Sequence, residues 1–162
     1  MGTPEFIIAL RKSIGHAPLW LMGATVICLR DGTAGPEILL VQRSDNHVWT
    51  TLSGIVDPGE HPAETARREA KEEAGVEVEV GRMLWTLVGE RFAYDNGDVV
   101  QYLDHGFAGR VIGGEAHVAD EESVDVGWFP IDALPEPHRD SLPRLIEIVL
   151  EDPRDVVVSL QP

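Results

Sequence analysis

The sequence predicts one mixed α/β layer structure, and three observations carry that expectation. Strand-like and helix-like stretches alternate along the chain, the pattern of helices layered on a sheet. Its 162 residues, 43% hydrophobic and 25% charged, suit one globular domain with a core of its own, spanning 1–162. In segment 62–74, Ala63, Ala66, Ala70 and Ala74 form a small-residue stripe about a quarter-turn from a face of glutamates. Such a helix can lie close against a sheet while its carboxylates point into a cleft.

The elements follow in order. Thr3-Pro4 reads as an N-cap followed by proline at the first helical position. Phe6, Ile7, Leu10 and Ile14 then keep helical spacing, and Gly15 can end this extra N-terminal helix at about 4–15. Residues 22–29 and 38–42 read as strands joined by a turn at 31–36, a hairpin. Ser44 to Trp49 reads as a polar loop. Asp57-Pro58-Gly59 marks a turn before the alanine-striped helix, with Pro62 in its first turn. Two strands follow at 76–80 and 83–88, and Asp95-Asn96-Gly97-Asp98 reverses the chain. Further strands are expected at 101–107 and 124–128, then an amphipathic helix over 143–150 that Pro153 ends.

The formal net charge is −15, from 28 acidic and 13 basic residues. A field of that sign disfavours nucleic acid and anionic membrane as partners, though not small phosphorylated molecules that arrive with a cation. The single cysteine, Cys28, lies in an apolar run and reads as a buried thiol in a reducing compartment. No stretch has membrane-span length, and no signal-peptide pattern opens the chain, so a cytoplasmic location is expected.

The chemistry concentrates in Arg68-Glu69-x-x-Glu72-Glu73. On a helix its three carboxylates stand at i, i+3 and i+4, on one face. Crowded carboxylate oxygens repel one another unless something positive lies among them, and they are the ligands that hard divalent cations take. Alone, this hexapeptide reads first as an ordinary solvated face with an Arg68–Glu72 ion pair, ahead of any function. Its surroundings change the weighing. Gly54, Glu60, Arg68, Glu69, Glu72, Glu73 and Gly75 follow the spacing Gly-x5-Glu-x7-Arg-Glu-U-x-Glu-Glu-x-Gly-U, with U aliphatic. From average residue usage, seven such identities recur by chance roughly once in a million chains of this length.

This segment resembles the Nudix box, and the flanking elements resemble that family's layout over about 21–150. The resemblance implies an α/β/α sandwich and Mg²⁺-dependent hydrolysis (Mn²⁺ being an alternative) of a nucleoside diphosphate linked to another group. It implies metal ligands at Glu69, Glu72 and Glu73, foremost Glu73 and Glu69, with the Ser53 backbone carbonyl supplying a further oxygen. Glu72 and Arg68 then belong to the catalytic set, Arg68 and Glu60 orienting loop and helix. Gly54 and Gly75 would allow tight turns at either end. Two positions depart from the family pattern: Ala70 at an aliphatic position, and Leu52-Ser53-Gly54 where many members have Leu-Pro-Gly, which would loosen that loop.

A general base is expected outside the helix. In the acidic loop Asp120-Glu121-Glu122, Glu122 is the first candidate and Glu121 the second, against the alternative of a merely solvated loop. Arg43 is a candidate phosphate contact or a surface arginine. Trp49, Phe92, Tyr94 and Tyr102 could stack on a base or serve as packing. Tyr94, about eighteen residues after the box, resembles a feature of dinucleoside-polyphosphate members. The proline that ADP-ribose-specific members carry is not at Glu90-Arg91-Phe92. The histidines have no zinc spacing; His105 stands nearest the expected cleft.

ADP-ribose or a nucleotide sugar and nucleoside triphosphates are therefore equal substrate expectations. The competing reading is a nucleotide-sensing module on the same fold that binds without turnover. An isomerase would want a cysteine or acid in the cleft, for which Cys28 is badly placed. A homodimer through the N-terminal helix is the oligomer to test for, the other role for that helix being to cap the sheet.

Overall fold

The computed structural model describes residues 3–94 and 96–159. In chain order the elements are α1 (Glu5–Ile14), β1 (Leu19–Gly32), β2 (Gly35–Arg43), β3 (Trp49–Thr50), β4 (Leu52–Ile55), α2 (Pro62–Ala74), β5 (Glu77–Val88), β6 (Phe92–Ala93), β7 (Val99–Gly113), β8 (Ser123–Pro130) and α3 (Leu142–Glu151). The strands form one mixed sheet with the path β3-β2-β1-β7-β5, while β4 pairs with β1, β6 with β7 and β8 with β2. β1 and β7 run parallel; the other pairs are antiparallel.

Period-two alternation along the central strands produces the layers. Ala24, Val26 and Cys28 of β1 and Leu39 and Val41 of β2 pack against Ala66, Ala70 and Ala74 of α2. The intervening Ile27, Ile38 and Leu40 pack on the other side with Leu142, Leu145, Ile146 and Ile148 of α3. A sheet buried on both faces by helices is an α/β/α sandwich. The alanine stripe does what its spacing predicts, since all three core-facing alanines are fully buried.

Four sequence expectations change. α1 begins at Glu5 with Pro4 as its N-cap: the Pro4 carbonyl accepts from the Ile7 and Ile8 amides, and no side chain caps the end. The two strands expected at 76–80 and 83–88 are one strand, β5. Its register against β7 slips between Val80 and Met83, where a β-carbon on Gly81 would lie 3.1 Å from the Ala108 carbonyl oxygen. The hairpin strands also run longer than expected, because β1 serves both halves of the sheet. Trp49 closes no polar loop; it opens β3 and is 6% exposed, edge-on to Phe129 at 4.6 Å.

The chain reversal after β6 is present: the Tyr94 amide donates to the Asp98 carbonyl, the Gly97 amide donates to the Tyr94 carbonyl, and β6 pairs with the start of β7. Asp95 of that turn lies outside the described residues. Among the described residues, no helix is long and apolar enough to cross a membrane.

Candidate functional site

Helix α2 is placed by its ends. Gly59, at φ 91°, makes the turn that a β-carbon would strain. Pro62 then occupies the first turn, and the His61 amide donates to Glu64 Oε2 at 3.2 Å in a capping box. Gly75 closes the helix at φ 69°, its amide turned back to the Ala70 and Lys71 carbonyls.

Between these ends Arg68 is the hub. Its Nε donates to Glu60 Oε1 at 3.0 Å and its Nη2 to Glu60 Oε2 at 3.1 Å, a bidentate grip on the incoming loop. Nη2 also reaches the Ile55 carbonyl at 3.2 Å. Nη1 donates to Glu69 Oε1 at 2.6 Å and to Glu72 Oε2 at 3.0 Å. Thr65, one turn earlier on α2, donates its hydroxyl to Glu60 Oε2 at 2.7 Å. The arginine thus supplies the internal positive charge that the carboxylate face requires. Its own pKa is raised above the ordinary value, chiefly by the bonds to Glu60, and Glu60 is held below the usual glutamate range chiefly by Arg68.

Glu69 and Glu73 are the unusual members, only 8% and 9% exposed. Burial pushes the Glu69 carboxyl up, with Arg68 acting against it. Burial pushes Glu73 well up, and the neighbouring Glu69 adds to the effect. The Ser53 amide works in the opposite direction, donating to Glu73 Oε2 at 3.0 Å. Proline could not donate that bond, so serine at this position has a physical consequence. Nor does Ser53 loosen the segment: it lies in β4, paired with Thr25 of β1.

Gly54 departs from its expected turn role. Its backbone is extended in β4; what it provides is space, because a β-carbon there would overlap the Glu69 carboxylate. Glu73 is also within electrostatic reach of Asp120 and Glu122, and Glu69 of Glu122. Among the described residues no three acidic, histidine or cysteine side chains close into a cage, and Arg68 stands between Glu69 and Glu72. Two buried carboxylates that resist ionisation still form an oxygen-rich donor set that favours a hard divalent cation.

The NUDIX domain family model matches residues 20–147. The chain belongs to the Nudix family.

Curated relatives include the NAD-capped RNA hydrolase NudC of Stutzerimonas stutzeri, 37% identical over 73% of this chain and 41% of that protein. The 8-oxo-dGDP phosphatase NUDT18 of Mus musculus is 32% identical over 85% of this chain and 39% of its own length. The chain therefore spans about two fifths of the length of these two relatives. Among solved structures, an ADP-ribose pyrophosphatase from Streptococcus suis shares the fold with a TM-score of 0.62 and 23% identity, over 85% of this chain and 96% of that one.

Within this Nudix fold the more distant expectations separate. Arg43, at the end of β2, grips Asp45 through Nε at 2.9 Å and Nη2 at 2.6 Å, and the Glu122 carboxylate and the Tyr94 phenol both lie within electrostatic reach of it. It therefore stands between the acidic loop and the exposed aromatics. Phe92 packs edge-on to Tyr94 and stacks on Tyr102, and the two tyrosine hydroxyls lie 3.1 Å apart. Burial pushes the Tyr102 phenol up, while Arg139 and Arg43 act in the opposite direction. Trp49 does not join them. Packed in the α3-side core, it has no free face for a base, contrary to the expectation that it could stack.

His105 Nδ1 lies 3.1 Å from the Gly23 carbonyl, a structural contact. Sequence reasoning did not find Thr65, whose signal is only that of an ordinary helix-start threonine. A separate cleft of ≈ 670 Å³ is lined by Leu29, Arg30, Val76, Arg110 and Trp128. It holds none of these carboxylates, and its arginines are paired with Glu37 and Glu79.

Proposed function

We propose that the chain is a divalent-cation-dependent pyrophosphohydrolase acting on a nucleoside diphosphate linked to another group. The observation that supports this most is the pair Glu69 and Glu73, buried one turn apart on α2 with both carboxyls pushed upward. Burying two like charges is costly unless a cation offsets them. Mg²⁺ is the cation expected, with Mn²⁺ as substitute, held by Glu69, Glu72, Glu73 and the Ser53 carbonyl. When bound it would neutralise phosphate oxygens and make water a stronger acid.

The chain's own residues supply the rest. Arg68 and Glu60 fix α2 against the preceding loop, which sets the direction of the ligating carboxylates. Glu122 takes the proton as water adds to phosphorus and a P–O bond of the anhydride breaks, leaving two phosphate-bearing products. Its place rests on two hydrogen bonds: its amide donates to Asp120 Oδ1 at 3.1 Å, and its carbonyl accepts from the Ser44 amide at 2.7 Å. Its charge acts on Glu69, Glu73 and Arg43 alike, which favours it over Glu121. Arg43 contacts a substrate phosphate, and the aromatic surface at Phe92, Tyr94 and Tyr102 takes the base.

The named relatives act on nucleotides of different kinds, including a capped RNA and an 8-oxo-dGDP. For this chain the net charge of −15 favours a small nucleotide over a long polyanion. ADP-ribose, nucleotide sugars and nucleoside triphosphates form the test panel. Incubation with Mg²⁺ and identification of both products fixes the substrate and the broken bond together. Tight binding of one member of the panel without turnover would favour the non-catalytic sensing module instead.

A further inference from the structure

β6 is two residues long, and only two residue pairs, Phe92 with Val100 and Ala93 with Val99, join it to β7. So short a ladder holds a turn weakly. Yet this turn carries two of the three rings of the aromatic surface, Phe92 and Tyr94, so something else must fix it.

That support comes from α1, which lies before the family match begins at residue 20. The Arg11 side chain, near the end of α1, is 11% exposed and reaches two segments at once, the loop that follows α1 and the Asp98–Val99 stretch. Its Nη1 donates to the Gly15 and Ala17 carbonyls at 3.0 and 2.6 Å, and its Nη2 to the Val99 carbonyl at 2.9 Å. Its Nε lies 3.2 Å from Asp98 Oδ1. His16 Nδ1 meets the same Asp98 oxygen at 2.9 Å, and the Asn96 amide meets the other at 3.2 Å. The Asp98 carbonyl in turn accepts from the Tyr94 amide at 2.9 Å. Below this network Ile7 of α1 is buried with Leu21 and Val100, and Tyr102 packs on that cluster. Tyr102 therefore has α1 behind it, and Tyr94 is tied to α1 through Asp98.

We propose that α1 is a brace that positions the Phe92–Tyr94–Tyr102 surface for the nucleoside part of the substrate, with Arg11 as its positioning residue. The link to substrate rests on the pyrophosphohydrolase reading above; the brace itself rests on the contacts of α1. Arginine suits the task because its rigid planar fork donates to three carbonyls through Nη1 and Nη2 while its charge stands beside the Asp98 carboxylate, a fixed geometry that a flexible lysine ammonium does not reproduce.

The test compares Arg11→Met and Arg11→Lys with the wild type. Amide hydrogen exchange is followed at Tyr94 and 96–100, with α2 as internal reference. Steady-state kinetics use Mg²⁺ with ADP-ribose, or whichever panel nucleotide the wild type turns over, and with inorganic pyrophosphate as a base-free control. Arg11→Met is expected to raise exchange in the turn while leaving α2 protected. KM for the nucleotide should rise roughly tenfold with kcat unchanged, the pyrophosphate response should stay unaltered, and Arg11→Lys should recover part of the loss. Unchanged exchange overturns the brace whatever the activity. Raised exchange with an unchanged KM, or an equal effect on pyrophosphate, overturns its link to the base. A wild type that turns over no nucleotide overturns the hydrolase reading, and the exchange comparison still decides the brace.

Discussion

Gly54 lies against Glu69 so closely that a β-carbon at position 54 would overlap the Glu69 carboxylate. The glycine therefore sets where that carboxylate can stand, although the two residues belong to different elements. Gly54→Ala is expected to displace Glu69 and weaken Mg²⁺ activation on the order of 10–100-fold. Its circular dichroism should match the wild type, because β4 gives residue 54 an ordinary extended backbone. A Mg²⁺ titration of activity checks this.

The Glu60–Arg68 pair makes a prediction about stability and pH. Glu60 is held below the ordinary value of 4.5, first by the Arg68 hydrogen bonds. A carboxylate with a lowered folded pKa contributes stability that is fully present above the unfolded value and lost as pH falls through the folded one. Glu60→Ala should cost about 2 kcal/mol near neutrality, since it removes a charged hydrogen-bond partner from a partly buried arginine. The difference between variant and wild type should shrink as pH drops below about 4.5. Urea denaturation at pH 7 and pH 3.5 measures both effects.

What the sequence could reveal follows from the range of the interactions. The start and stop of α2, its alanine stripe and its carboxylate face are set by local spacing, and the structure reproduces them. The Arg68–Glu72 pair is one helical turn long and was equally readable. The reason for Gly54 was not, because it depends on Glu69, fifteen residues further along the chain, being brought back over β4 by α2. Trp49 sits after a polar stretch, and nothing local shows that β3 turns its ring onto Phe129. Arg43 illustrates a third case: its partner Asp45 is two residues away, but only the folded sheet places Tyr94 and Glu122 within its field. α1 was expected as a helix, yet its hold on Asp98 spans 87 residues and carries no sequence signal.

Cys28 provides a check of the α2-side core. It is fully buried among Ala24, Val26 and the α2 alanines, and burial pushes its thiol up to about 12. At pH 8 the thiol is therefore neutral and shielded. Iodoacetamide should leave the native protein unlabelled and modify one cysteine after denaturation. Rapid native labelling would show that the core around α2 opens more readily than this packing allows.

Glu73 offers the most direct test, because its roles in stability and in activity oppose each other. Burial disfavours its charged form, so Glu73→Gln removes a costly charge while keeping an oxygen to accept from the Ser53 amide. The measurement is Mg²⁺-dependent turnover of the substrate identified by the panel, made on Glu73→Gln alongside its thermal unfolding midpoint. The predicted result is a loss of kcat on the order of 10²–10³-fold or more, with a midpoint equal to or above that of the wild type. Wild-type turnover in Glu73→Gln would contradict the assignment of α2 as the metal-holding element.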